Sequence, residues 1–254
     1  MEDHTIYFYL LVAVMAIGVL HCVSVGVLFF FKRSGVKRAN YFFGLLLIAI
    51  GLTLLHNIFI ISGTYEQYPR LKFLPIYFTH VLPVSLFYYV KLSLYPGYRL
   101  RASDVKHFLL PVLQFLFFVI MFFMPVEFKS KVGRHFYNPF YGAFEQFLYL
   151  VNFVSYMYFG YRYIIQRQKT VIKNKALKQI LYLKKLIQVL FVLFMIHTAF
   201  IVGDFAGYEL LNINLQTVKP YAALGALSFA ALAYWLGTYG FQVLLWGRKT
   251  FGKE

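Results

Sequence analysis

With Cys22 as the only cysteine among 254 residues, the chain can hold neither an internal disulfide nor a zinc site built on thiolates. Acidic side chains are also scarce: nine Asp and Glu stand against 25 Lys and Arg, for a formal net charge of +16. Charged residues make up only 13% of the chain, about half the usual share in soluble domains, and this excludes an ordinary water-soluble protein. The motifs of common enzymes are missing as well. There is no GxxxxGK[ST] phosphate loop, no GxGxxG, no GxSxG elbow and no pair of intramembrane carboxylates for acid and base work. Neither internal repeats nor low-complexity segments occur.

What the chain has in abundance is apolar surface. Hydrophobic residues reach 61%, aromatic ones 21%, and the mean hydropathy is +0.65. The apolar residues come in blocks of about 20, the number a helix needs to cross roughly 30 Å of hydrocarbon. Seven crossings are expected at about 6–31, 41–61, 74–95, 108–124, 144–165, 186–206 and 221–246. The first block has no basic residue before it, so it reads as a span and not as a cleavable signal. The expected fold is all-α, a single seven-helix membrane bundle with no soluble domain. Pro83 falls well inside the third span, where a kink is expected.

Basic residues fix the expected orientation. Nineteen Lys and Arg fall on the side of the first, third and fifth loops and the C-terminal tail, and six on the other. The side with 19 is expected to be cytoplasmic, which puts the N-terminus outside and the C-terminus inside. A charge of this size suits nucleic acid in a soluble protein, but in a membrane chain it reports topology and attraction to anionic lipid first. The stretch 161–186 carries Arg167, Lys169, Lys173, Lys175 and Lys178 among apolar residues without Gly or Pro. It is expected to be a helical extension lying against the headgroups, a lipid-facing or partner-facing surface.

Polar residues inside spans need an explanation, because unpaired polar groups in hydrocarbon are costly. His56, Asn57, His80, Asn152 and His197 lie in the outer halves or near the middle of their spans, with Glu145 and Asp204 at outer ends. These seven are the candidates for an outward-opening polar pocket, and interhelical hydrogen-bond glue is the competing reading. No two of the three histidines stand at i, i+3 or i+4, so a metal site is not expected, and no cofactor motif is present. Gly18, Cys22 and Gly26 form a small-residue stripe that suits close helix packing, with Cys22 a packing residue and not a nucleophile.

Several short stretches are distinctive: Asn40 to Leu47 running on to Leu55-His56-Asn57, then Pro83 to Lys91, then His107-Phe108-Leu109-Leu110-Pro111. This succession resembles the N-terminal seven-helix domain of the membrane-bound AraC-type regulators of Bacteroidota, although Leu82 stands where that family often has Gly. The resemblance implies a bacterial inner-membrane location and a sensing role. In that family a DNA-binding helix-turn-helix follows the seventh helix, whereas here only a short tail does, so direct nucleic-acid binding is not expected. The expected function is a non-catalytic membrane sensor or receptor module acting through a separate protein partner. The alternatives are an accessory or scaffold subunit of a larger envelope complex, or less favoured, a membrane enzyme or transporter. A sensor needs a ligand cavity, whereas a scaffold does not.

Overall fold

The computed structural model describes residues 6–131, 142–171 and 174–251. Among them there is no strand. The α-helices are α1 (Ile6–Phe31), α2 (Lys37–Ile61), the short α3 (Thr64–Gln67), α4 (Val81–Leu94), α5 (Leu109–Phe122), the short α6 (Val126–Lys131), α7 (Ala143–Thr170), α8 (Asn174–Leu211) and α9 (Lys219–Phe251). A 3-10 segment, Ala102–Phe108, leads directly into α5.

Five helical segments are long and apolar enough to cross a membrane: Ile6–Phe31, Lys37–Ile61, Ala102–Phe122, Ala176–Tyr208 and Lys219–Leu245. Their outward faces are studded with exposed large apolar side chains, such as Leu10 and Leu20 on α1, Leu109 and Ile120 on α5, and Val192 and Ile196 on α8. In water such surfaces would drive association, and in hydrocarbon they are at home. The chain is a multi-pass helical membrane protein.

The other two expected spans differ from these five. α4 has 14 residues, about 21 Å at 1.5 Å per residue, which is short of the hydrocarbon thickness. α7 is 28 residues long but includes Glu145, Gln146, Asn152, Arg162 and Arg167.

Six helices close a ring in which α1 packs on α2, α2 on α4, α4 on α7, α7 on α8, α8 on α9 and α9 back on α1, with α2 also touching α9 across it. α2 and α4 contribute more buried core residues than any other helix. Phe43, Leu46, Leu47 and Leu54 of α2 and Leu82, Leu86, Tyr88, Val90 and Leu92 of α4 are buried. α5 lies at the margin and turns only Pro111, Gln114, Phe118 and Met121 inward. The closest crossing is between α1 and α2, where a Cβ on Gly26 would lie 3.0 Å from Gly44 O and one on Gly44 would lie 2.9 Å from Gly26 O. Only glycine lets the two backbones come this close. Cys22, in the same stripe, is fully buried and its thiol donates to Ala233 O at 3.1 Å.

The third expected span is corrected in two respects. The chain is not helical from residue 72 to 80 beyond isolated turns, and α4 begins only at Val81. Pro83 therefore sits in the first turn of α4, where its missing N–H costs nothing, and not at a mid-helix kink. Pro75 explains the delay in part, because it disfavours helix at Leu74 before it. Neighbouring side chains satisfy the backbone of this non-helical stretch. The Phe78 N–H donates to Thr53 Oγ1 at 3.1 Å and the His80 N–H to Gln114 Oε1 at 3.1 Å. Irregular backbone is tolerated at membrane depth only when the protein supplies such partners.

The stretch 161–186 is also corrected. It is not one continuous helix: α7 ends at Thr170, Val171 is extended (φ −105°, ψ 122°), and α8 starts at Asn174. Lys129, one of the six basic residues on the less basic side, is buried and not solvated. Its ammonium donates to Arg70 O (3.0 Å) and to Phe122 O (2.9 Å), a carbonyl at the end of α5.

Candidate functional site

A cavity of about 400 Å³ opens at one end of the ring, within the size range of small-molecule sites. Its wall comes from the C-terminal ends of α2 and α8, the N-terminal ends of α7 and α9, and the non-helical approach to α4. The long helices around it thus alternate in direction, and the basic ends of α7 and α8 lie away from the cavity.

Glu145, in the first turn of α7, is only 1% exposed. Three donors from two other segments converge on it. The Tyr77 hydroxyl donates to Oε2 at 3.0 Å, the Gln114 amide to Oε1 at 3.3 Å, and the Thr79 hydroxyl also to Oε1. Gln114 Nε2 donates to Thr79 Oγ1 at 2.7 Å as well, which ties the donors to one another. The His80 Nε2 lies 4.0 Å from Oε1. A carboxylate removed from water is tolerated when donors replace its hydration in this way. Thr53 extends the network into α2: besides accepting from Phe78, its hydroxyl donates to Ala49 O at 2.9 Å.

Of the seven residues expected to form a polar pocket, His56, Asn57, Glu145, His197 and Asp204 line this cavity. His80 does not line it but sits behind Glu145, and Asn152 lies two turns beyond Glu145 on α7 with no part in the wall. His56 is buried and its Nδ1 shares a 2.8 Å hydrogen bond with the Tyr65 hydroxyl. His197 Nδ1 lies 2.9 Å from Ser228 Oγ, linking α8 to α9. Asp204 is buried across the cavity from α2, beside Tyr221, whose hydroxyl donates to Phe200 O. Glu145 and Asp204 thus share one cavity, although no paired carboxylates are evident from sequence spacing. Among the described residues, no group of three or more His, Cys, Asp or Glu is placed to hold a metal ion.

Sequence reasoning passed over Thr53, Tyr77, Thr79, Gln114 and Tyr149. Gln114 carried a signal, since it is the only amide in the apolar run Leu109–Phe122. Tyr149 stands out for another reason. It lines the cavity and is 2% exposed, yet its hydroxyl has no hydrogen-bond partner among the described residues.

No family model, curated protein or solved structure matches this chain. The site must be read from its own geometry.

The opposite end of the ring holds a second polar cluster. Asp104 is buried and accepts from the Tyr88 hydroxyl (2.9 Å), the Tyr98 hydroxyl (2.7 Å) and the Arg101 N–H (2.7 Å), while Lys91 Nζ stands 3.8 Å away and 3.8 Å over the Tyr98 ring. This cluster ties α4 to the segment that leads into α5. Of the basic surface candidates, Lys169 and Lys178 are exposed, and Arg167 is partly buried with its guanidinium 5.5 Å over the Tyr95 ring. Lys173 lies outside the described residues, as does the side chain of Lys175.

Proposed function

We propose that the chain is a seven-span receptor module of a bacterial inner membrane, with its N-terminus outside and its C-terminus inside. It binds a small polar ligand at its outer end and acts through a separate protein at its inner end, with no chemistry of its own. One observation carries the reading: a cavity of about 400 Å³ that gathers polar side chains from α2, α7, α8 and α9 around a buried carboxylate. A scaffold subunit has no use for such a cavity, whereas a receptor requires one. α8 supports a link between the two ends. It contributes His197 and Asp204 to the cavity and, some 20 residues earlier, Lys178 to the basic end.

The partner surface in this reading is the basic end made by Arg167, Lys169, Lys173, Lys175 and Lys178. Attraction to anionic lipid is the competing use, at about 1 kcal/mol per cation. The test is purification from native membranes in mild detergent, comparing three forms of the full chain: wild type, the charge reversal Lys173→Glu/Lys175→Glu/Lys178→Glu, and Ala226→Trp, which fills the cavity. The reading expects a co-purifying protein that the charge reversal loses, and a co-purifying small molecule that Ala226→Trp loses. If the protein set is the same in all forms and wild type carries no small molecule, the receptor reading fails.

A further inference from the structure

We propose that the ligand of this cavity is a small aromatic compound with a hydroxyl on its ring, and that the Tyr149 hydroxyl receives this group at the cavity floor; the inference rests on the receptor reading above. α2 and α8 run toward the mouth while α7 and α9 run away from it, so the deepest wall residues of the four helices are Thr53, His197, Tyr149 and Phe229. These four make the floor. Two of them are already engaged: Thr53 Oγ1 bonds Ala49 O and the Phe78 N–H, and His197 Nδ1 pairs with Ser228 Oγ. Phe229 offers only a ring. The Tyr149 hydroxyl is buried with no partner among the described residues, which is unfavourable unless something else completes it. A ligand hydroxyl, donor and acceptor at once, completes it in either sense.

The rings around the floor select the rest of the ligand. Phe153 and Phe194 hold the Tyr149 ring in edge-on contacts, both with centroids 5.6 Å away, so it is fixed in place as part of the wall. Phe229 stands 5.3 Å from the His197 imidazole. Nearer the mouth, Tyr77 lies 4.9 Å from the His56 imidazole and Phe200 lies 5.5 Å from the Tyr221 ring. Rings thus enter the wall from α7, α8, α9 and the approach to α4. A planar ring among them gains offset and edge-to-face contacts that a saturated ring of the same size does not. At about 400 Å³ the cavity lies near the small end of ligand sites, which suits a compact ring compound.

Binding to the purified full chain in lipid nanodiscs tests this with three probes of similar size: p-cresol, 4-methylcyclohexanol and toluene. Uptake by nanodiscs carrying Ala226→Trp is subtracted, so that only binding in the cavity is read. The expected result is that p-cresol binds at least about threefold more tightly than 4-methylcyclohexanol, which keeps the hydroxyl and loses the aromatic ring. Tyr149→Phe keeps the ring that Phe153 and Phe194 hold and removes only the hydroxyl. It should weaken p-cresol by about three- to tenfold and leave toluene unchanged. If the saturated alcohol binds as tightly as p-cresol, or if Tyr149→Phe changes p-cresol and toluene alike or changes neither, the inference is overturned while the cavity keeps its role as a ligand site. If none of the three binds, the inference is also overturned, and the receptor reading is judged separately by the small molecule that co-purifies from native membranes.

Discussion

Removing the carboxylate at position 145 gives the sharpest test of the buried network. Glu145→Ala takes away the acceptor of the Tyr77 and Thr79 hydroxyls, while Gln114 keeps a bond to Thr79 Oγ1 at 2.7 Å. A buried donor left without an acceptor costs about 1–3 kcal/mol. Two such donors give a loss of about 2–6 kcal/mol, and the smaller average of about 0.6 kcal/mol per bond measured in membrane bundles sets a floor near 1 kcal/mol. The single variant alone confuses this with lost packing, so the informative quantity is the coupling between Glu145→Ala and Thr79→Val, a substitution that keeps the shape of the side chain. Reversible unfolding in mixed micelles, measured for wild type, both single variants and the double variant, should give a coupling of at least about 0.6 kcal/mol. A parallel cycle with Tyr182→Phe, whose hydroxyl bonds Gln242 at the far end of α9, should give none. Additivity within about 0.3 kcal/mol in the Glu145/Thr79 cycle would refute the claim that these groups hold the non-helical approach to α4 in place.

Other substitutions test the frame. Gly26→Ala should destabilise by about 1–3 kcal/mol because its methyl meets Gly44 O and Ile48, whereas Gly160→Ala, with nothing within 4 Å of the new Cβ, should stabilise by up to about 1 kcal/mol through helix propensity. The same thermal unfolding assay reads both, and equal signs would contradict the packing described. Asp104→Ala should cost about 1.5–3 kcal/mol, since it strips a charged acceptor from Tyr88, Tyr98 and the Arg101 N–H; Tyr88→Phe alone should cost less. Reporter fusions at residue 173 and at the C-terminus should both report the cytoplasm, and a periplasmic signal from either would overturn the orientation drawn from the charge bias.

The helices were legible because the sequence writes them in blocks: the run from Ile6 to Phe31 has no charged residue at all, and only a helix can carry so apolar a stretch through lipid. The approach to α4 was not legible. Hydropathy alone extends that span back to Leu74, but the acceptors that let the chain leave helix there, Thr53 and Gln114, lie 25 and 34 residues away in sequence. The polar pocket was legible in kind, because imidazoles, amides and carboxylates clustered in depth across different spans. Its membership was less so. Asn152 shares a helical face with Glu145 by spacing, yet the cavity closes above it at Tyr149, and Tyr149 looks like any other apolar-leaning ring until its hydroxyl is found without a partner among the described residues. The long basic stretch hid its break at Val171 because neither Gly nor Pro marks it.

The most direct test of the central claim, a polar cavity that opens to the outside, is the reactivity of one engineered thiol. In a Cys22→Ala background, which removes the only native cysteine, Asn57→Cys places a thiol on the cavity wall. Intact cells are then treated with a membrane-impermeant thiosulfonate. The account predicts labelling from outside, slowed when Ala226→Trp fills the space. Labelling that appears only after the inner face is exposed, or that does not change when the cavity is filled, would contradict it.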